Sequence, residues 1–491
     1  MGPGARAWGR ECPYIVYEFD TSNKPAVSLG IRVGCAKPVS GLYSRSSRQR
    51  QCRDAGRGLA WIGDPMRIVL IGAGSYVFST SVLHDAIIDH RIPEVEIALV
   101  DLDDSILETM AGVGRAMAAD VGIQVSLETS TDRTEVLPGA DFVILCAEAQ
   151  GARRWRDDHE IVCRYDMPDQ ARECGGLGGL AKALRTCSLA LSVAEDMETL
   201  APGAMLLDVT NPMPRVVTSV LHATSVPAYG FCNAAWGGYP GYQWLARLVG
   251  REASDLDVIT AGLNHFAWLL RARDRRTGED LIPKARDALA RADGAEARIL
   301  AKWLIQFGAI GMSGPSHMGE YLPYDPMNHY HTTPPFHGDR AEREERIAGL
   351  RAVAEGRAHW STCIGQRSWE RPVDLAVAID RRVDIHVDMV NLANGGHLPD
   401  LPEGRVVEAP ARTEEGQVRP VEVPPMPPAL AELCRSVSDV IQLSGEAAAE
   451  GDVGKVHEVV RIDPAIPDTP QAHAAIDDML ATHGDLLTRF A

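Results

Sequence analysis

Two residues far apart in the chain, Cys232 and His265, carry side chains suited to a borderline transition metal. A thiolate and an imidazole favour such an ion, and two protein ligands leave coordination positions open for substrate oxygens. Each residue lies in a short break after an apolar run: Gly230-Phe231-Cys232-Asn233, and Gly262-Leu263-Asn264-His265-Phe266-Ala267-Trp268. A third break, Val209-Thr210-Asn211-Pro212-Met213, presents an amide after a buried run stopped by proline. Cys232 and His265 are 33 residues apart, so spacing alone leaves a buried thiol and a structural imidazole as the competing reading.

A second chemistry is written nearer the beginning. Gly72-Ala73-Gly74-Ser75 directly follows the apolar run Ile68–Ile71 and opens a helical stretch. Glycines at 72 and 74 permit a tight turn and let the backbone approach a pyrophosphate. Val77 stands where the dinucleotide fingerprint has its third glycine. The next apolar run ends at Val100-Asp101, where an acid can accept from the adenosine ribose hydroxyls. No arginine follows Asp101 to hold a 2′-phosphate, so the pattern favours NAD over NADP. Gly72, Gly74, Ser75, Asp101 and Asn211 are the expected cofactor contacts.

These residues need a scaffold. Apolar runs at 67–71, 95–100, 142–147 and 204–208 read as parallel strands buried on both faces, with helical stretches such as 104–119 and 180–199 between them. Alternation of this kind predicts a doubly wound α/β sheet of Rossmann type. Beyond residue 255 the pattern predicts a C-terminal α+β region. Its helices are expected at 283–308, 338–358, 427–450 and 470–488, and its strands at 257–260, 268–273, 374–390 and 405–409. The expected organisation is an N-terminal extension over 1–65, a dinucleotide-binding domain over 66–255, and a catalytic and oligomerisation domain over 256–491. Residues 1–65 lack periodicity, and Met66 reads as the natural start of the fold; a strand within Tyr14–Phe19 is the alternative.

Composition bounds the partners. The chain has 491 residues, 45% hydrophobic and 24% charged, with a net charge of −18. A negative charge spread along the chain argues against nucleic acid or anionic membrane as the main partner. The longest apolar runs fall short of a membrane span. Ten scattered cysteines without a CxxC pair suit a reducing, cytoplasmic setting.

The ordered set of motifs resembles glycoside hydrolase family 4, the NAD- and manganese-dependent glycosidases, from Met66 almost to the C-terminus. The landmarks are Gly72–Ser75, Val100–Asp103, Glu173 before Gly176-Leu177-Gly178-Gly179, Ala183–Thr186, Thr210–Met213, Cys232-Asn233, Gly262–His265 with Trp268, Glu320-Tyr321-Leu322-Pro323, Leu401–Glu403 and Val407–Pro410. The resemblance implies a lactate/malate dehydrogenase-like fold, with NAD and Mn²⁺ or another divalent ion as cofactors. It implies a small-molecule glycoside as substrate and a homodimer or homotetramer as the assembly. The implied reaction oxidises C3 of the sugar, removes the C2 proton, eliminates the C1 substituent, adds water and returns the hydride. This family stands outside the usual paired-carboxylate scheme.

By the same resemblance Cys232 and His265 hold the metal, Asn211 meets substrate hydroxyls, and Tyr321 is the C2 base, with Glu320 and Tyr324 as fallbacks. A free tyrosine keeps its proton to a pH of about 10, so the metal or a cation must lower that value. Some members carry Asp after the ligand Cys; here Asn233 takes that catalytic position and cannot donate a proton as an acid, which leaves the leaving-group proton unassigned. Glu173 and Asn264 are further substrate contacts.

Two features bear on the sugar. Gln150-Gly151-Ala152-Arg153-Arg154-Trp155-Arg156 offers arginines to an anionic substituent such as a carboxylate or sulfonate, with Arg172 and Lys182 as possible companions. Ser316-His317-Met318-Gly319-Glu320-Tyr321 instead resembles the α-galactosidase/α-glucosidase branch, which acts on unphosphorylated sugars. Two other functions compete: an NAD-dependent 2-hydroxy acid dehydrogenase, which accumulates NADH without a metal, and a non-enzymatic NAD sensor, which tolerates loss of Cys232 and His265.

Overall fold

A computed structural model of the chain describes residues 51–54, 59–62, 65–236, 241–328, 330, 340–364 and 370–490. The expected strand at Tyr14–Phe19 lies outside these residues. A short antiparallel hairpin, Gln51–Asp54 with Leu59–Ile62, precedes the main sheet.

Twelve strands form that sheet. In chain order they are β1 (Arg67–Ile71), β2 (Val95–Val100), β3 (Val125–Ser130), β4 (Phe142–Leu145), β5 (Met205–Asp208), β6 (Ala228–Gly230), β7 (Leu256–Leu263), β8 (Phe266–Asp274), β9 (Ile310–Gly311), β10 (His386–Ala393), β11 (Val406–Glu414) and β12 (Gln417–Pro420). The first six are parallel in the order β3-β2-β1-β4-β5-β6, the doubly wound order of dinucleotide-binding sheets. The sheet does not stop at β6. It continues antiparallel through β10, β11, β7, β8 and β9, with β12 paired to β11, so both halves of the chain share one hydrogen-bonded surface.

Burial explains the strand pattern. β1, β2, β4 and β5 are apolar and almost wholly buried, as strands covered on both faces must be. One face packs on helices that include Asp104–Val121; the other packs on Gly176–Leu200, Met213–Ala223 and Pro428–Glu450. The edge strand β3 alternates instead, burying Ser130 but exposing Glu128.

The expected helix over 283–308 is two helices, Ile282–Arg291 and Ala295–Phe307, broken at Gly294 where φ is 116°. The stretch 374–390, expected to be strand throughout, begins instead as helix Pro372–Arg381, and only then becomes β10. Its apolar run Leu375–Ile379 is short and continuous, a pattern that does not separate buried helix from buried strand. Proline at the first helical turn and Arg382 in the left-handed region at the end fix it as helix.

Candidate active site

At the end of β1 the chain turns sharply. Gly72 adopts φ +90°, and a β-carbon there would stand 2.8 Å from the Ala147 backbone. The N–H groups of Gly72 and Ala73 donate to the Val100 carbonyl, each at 2.9 Å. Gly74 donates to Asp101 Oδ2 at 2.8 Å, and Leu102 donates to Oδ1 at 2.8 Å. A β-carbon on Gly74 would lie 2.7 Å from that same carboxylate oxygen. Asp101 therefore shapes the glycine turn, while each of its oxygens keeps acceptor capacity for a ribose hydroxyl. Ser75 Oγ accepts from Phe78 N at 3.1 Å and starts the next helix. The bare backbone and the acid beside it fit a dinucleotide.

The loop after β5 contributes Asn211 through a cis peptide bond to Pro212. Asn211 Oδ1 is buried with no hydrogen-bond partner among the described residues. A buried amide oxygen in that state calls for a donor from outside the protein.

Strand register brings the loop that carries Cys232 close to the turn that carries His265. Gly230 of β6 pairs with Asn391 of β10, Asn391 with Glu408 of β11, and Glu408 with Gly262 of β7. Cys232 lies two residues beyond one end of this row. Asn264 and His265 form the two-residue turn beyond the other, because Leu263 pairs with Phe266. The Asn264 amide donates to Glu408 Oε2 at 2.8 Å and also hydrogen-bonds the Cys232 thiol. Asn391 donates to the same Glu408 oxygen at 3.1 Å. His265 is buried, takes φ 58°, and meets the His317 ring edge-on with centroids 4.7 Å apart.

The electrostatics suit a cation. Burial pushes the Cys232 thiol up to about 12, with Glu408 adding to the rise and Asn264 opposing it. Burial likewise raises the Glu408 carboxyl to about 7 against the two amide donors. Asn264 Oδ1 and Glu408 Oε1 are buried without partners among the described residues. A divalent ion would ionise such a thiol on binding, so the donor set fits a metal held by Cys232 and His265.

Tyr321 lies on the single turn Gly319–Tyr321, 3% exposed, its ring 5.8 Å from that of Phe266. Burial holds its hydroxyl well above the usual tyrosine range; Cys174 adds to this, and Arg215 is the cation that opposes it. Arg215 is fully buried, with its three guanidinium nitrogens lacking hydrogen-bond partners among the described residues and Asp463 3.9 Å away. Nothing in the sequence marked it out.

Several expected residues have other work. Glu320, a fallback base, accepts through Oε2 from the N–H groups of Cys174 and Gly175, at 2.7 and 3.2 Å. Tyr324 is 58% exposed, away from the buried row. Arg154 was expected to meet an anionic substituent; its buried guanidinium is instead tied to the Thr482 carbonyl, His483 and Asp485. Arg172 holds the carbonyls of Gly319, Glu320 and Leu322, and Lys182 is paired with Glu148 and Glu173, each at 3.1 Å. Glu173 thus enters as a partner of Lys182, and Arg153 stays exposed beside Gln150. Asn233 donates to Glu370 Oε1 at 2.5 Å. Glu370, Glu408 and Asn391 were not singled out from sequence as site residues. Glu408 stood inside a recognised landmark, but its role depends on pairing across four strands.

Comparison with known proteins decides the family. The model of the family 4 glycosyl hydrolases matches residues 67–240, and that of the family 4 glycosyl hydrolase C-terminal domain matches 260–466. The chain belongs to glycosyl hydrolase family 4. Its relatives include an alpha-galactosidase of Rhizobium meliloti, 25% identical over 87% of this chain and 90% of that protein. An alpha-galacturonidase of Bacillus subtilis is also 25% identical, over 85% of this chain and 97% of the relative. Among solved structures, a 6-phospho-alpha-glucosidase from gut microorganisms, in complex with NAD and Mn²⁺, shares the fold with a TM-score of 0.71. It is 20% identical, with 86% of this chain and 99% of that chain covered. No helix among the described residues of this family 4 hydrolase is long and apolar enough to cross a membrane.

Proposed function

We propose that this family 4 hydrolase cleaves a hexoside by transient oxidation at C3, with NAD held at the Gly72–Asp101 turn and a divalent ion, Mn²⁺ as in the related glucosidase complex, held by Cys232 and His265. The observation that carries the reading is the row Gly230–Asn391–Glu408–Gly262, which delivers Cys232 and the Asn264–His265 turn to one place. When bound, NAD supplies reversible hydride acceptance and the ion supplies Lewis acidity at the sugar oxygens.

The protein's own groups then have defined tasks. Asn211 and Asn264 offer amide oxygens, unpartnered among the described residues, to sugar hydroxyls, which fixes the ring against the buried row. Tyr321 takes the C2 proton as its phenolate and becomes the neutral phenol; Arg215 stabilises the phenolate before the transfer, the role a nearby cation must play for a tyrosine base. Burial around Phe266 and Trp268 keeps bulk water from the acidified C2 position. Arg154, Arg172 and Lys182 are engaged within the protein, so they do not support an anionic substituent on the sugar. Relatives of the same 25% identity are named an alpha-galactosidase and an alpha-galacturonidase, so the proposal stops at the hexoside. We further propose a homodimer or homotetramer, which light scattering on the purified protein tests.

A panel of nitrophenyl α- and β-glycosides, with NAD⁺, Mn²⁺ and a thiol reductant in D₂O, tests the reaction. The expected result is cleavage of at least one glycoside, no net NADH, and deuterium at C2 of the released sugar. Intact glycosides, together with NADH formed from a 2-hydroxy acid, would overturn it in favour of a dehydrogenase.

A further inference from the structure

The loop Cys146–Gln150 leaves β4 beside β1, where the strand order reverses and a dinucleotide lies in sheets of this kind. Its first residues pack on the glycine turn. The Cys146 N–H donates to the Ile71 carbonyl at 2.9 Å, and its thiol donates to the Gly72 carbonyl at 3.3 Å. The Ala147 backbone fills the space that a side chain on Gly72 would need. The last residue, Gln150, takes φ 54° and caps the helix Gly151–Arg164 from the left-handed region. That conformation is costly for a residue other than glycine and persists only where neighbours hold it.

Two arginines hold it. Gln150 Oε1 accepts from Arg153 Nη1 at 3.1 Å and from Arg154 Nε at 3.2 Å. Arg153 is exposed, whereas Arg154 is buried and its remaining nitrogens reach the far end of the chain. Nη1 donates to the Thr482 carbonyl at 3.2 Å and to His483 Nδ1 at 3.5 Å, and Nη2 is ion-paired with Asp485. A guanidinium only donates, so His483 Nδ1 accepts and its Nε2–H donates to Asp158 at 2.6 Å. Asp158 is fully buried and takes two bonds from Arg185, at 3.1 and 2.8 Å. The Arg154 guanidinium is one rigid plane. Fixing two of its nitrogens on Thr482–Asp485 therefore fixes the direction in which Nε meets Gln150.

We propose that Arg154 is a positioning residue for the cofactor: anchored by Thr482–Asp485, it sets Gln150 and with it the loop packed on the glycine turn. The C-terminal segment then governs NAD affinity from over 300 residues away in the chain. This rests on NAD lying at the Gly72–Asp101 turn, as proposed above.

A double-mutant cycle between the two ends of this path tests it, with NAD⁺ and Mn²⁺ each titrated calorimetrically into the full-length protein. The Asp485 side chain is 58% exposed, so it can be replaced without opening the core. Gln150→Ala is expected to weaken NAD⁺ binding about tenfold, and Asp485→Ala about three- to tenfold, with Mn²⁺ affinity in the absence of NAD⁺ within about twofold of wild type. Because Asp485 acts through Arg154 on Gln150, the double variant should lose no more NAD⁺ affinity than Gln150→Ala alone. A merely structural role for the C-terminal segment would not produce that coupling. Unchanged NAD⁺ affinity in either single variant, additive losses in the double variant, or equal weakening of NAD⁺ and Mn²⁺ would overturn the assignment. A wild type that binds no NAD⁺ would instead overturn the cofactor reading on which it rests.

Discussion

The two ends of the active site are built by opposite means. The dinucleotide turn is local: Gly72, Gly74 and Asp101 lie just beyond the ends of two adjacent parallel strands, and hydrogen bonds there close the structure before any ligand arrives. The metal end is assembled from β6, β7, β10 and β11, whose residues span Gly230 to Glu408. It leaves buried oxygens on Asn264, Asn391 and Glu408 without partners among the described residues. Unpaired buried polar atoms are expensive, about 1–3 kcal/mol each, so this end is poised for a ligand in a way the glycine turn is not. The first end is a preformed cradle and the second is completed by what binds it.

Substitutions should separate the two ends, the largest effect first. Cys232→Ser and His265→Ala are each expected to remove metal-dependent cleavage by about a thousandfold or more, the scale of several kcal/mol of Lewis acid stabilisation. NAD affinity, read by titration calorimetry, should stay within about threefold of wild type if the ends are independent. A parallel collapse of NAD binding would break the comparison.

Glu408→Gln gives the next effect. It keeps the shape and removes the charge beside Cys232, and is expected to weaken metal binding about 10- to 100-fold, as loss of a residue that orients a ligand does. The same variant tests the stability of the metal-free protein. The folded carboxyl titrates at about 7, against 4.5 for an ordinary glutamate, so between these values the folded state holds a proton that the unfolded state has lost. Stability should therefore be highest below pH 4.5 for this group, and decline as pH rises through 7. Urea midpoints between pH 5 and 8 should fall less steeply in Glu408→Gln than in wild type; matched slopes would show that this carboxyl is not the titrating group.

Gly74→Ala tests the cradle alone and is the smallest change. Its methyl would stand 2.7 Å from Asp101 Oδ2, forcing that side chain aside. NAD affinity is expected to fall about tenfold, corresponding to about 1.4 kcal/mol, with Mn²⁺ affinity in the absence of NAD unchanged. Equal weakening of both would mean that the two ends share one conformational equilibrium.

The same contrast governs what the sequence reveals. β1, β2, β4 and β5 were legible because doubly buried strands are unbroken apolar runs, and the glycine turn was legible because its parts are close in the chain. β3 was missed, since Val125–Ser130 alternates at an exposed edge, and β6 was missed because it has three residues. Cys232 and His265 were visible as chemistry, but their meeting depends on a register that no spacing encodes. Arg154 misled for a related reason: the segment that claims its guanidinium, Thr482–Asp485, lies over 300 residues away. Arg215 and Glu370 carry no local mark at all, an arginine inside a helix and a glutamate before one.

The most direct measurement is the absorption spectrum of the protein loaded with Co²⁺ in place of Mn²⁺. A sulfur-to-cobalt charge-transfer band should appear in wild type, vanish in Cys232→Ser, and in His265→Ala persist only at higher cobalt concentration. A wild-type spectrum without that band, or one that neither substitution alters, would contradict a centre held jointly by this sulfur and this imidazole.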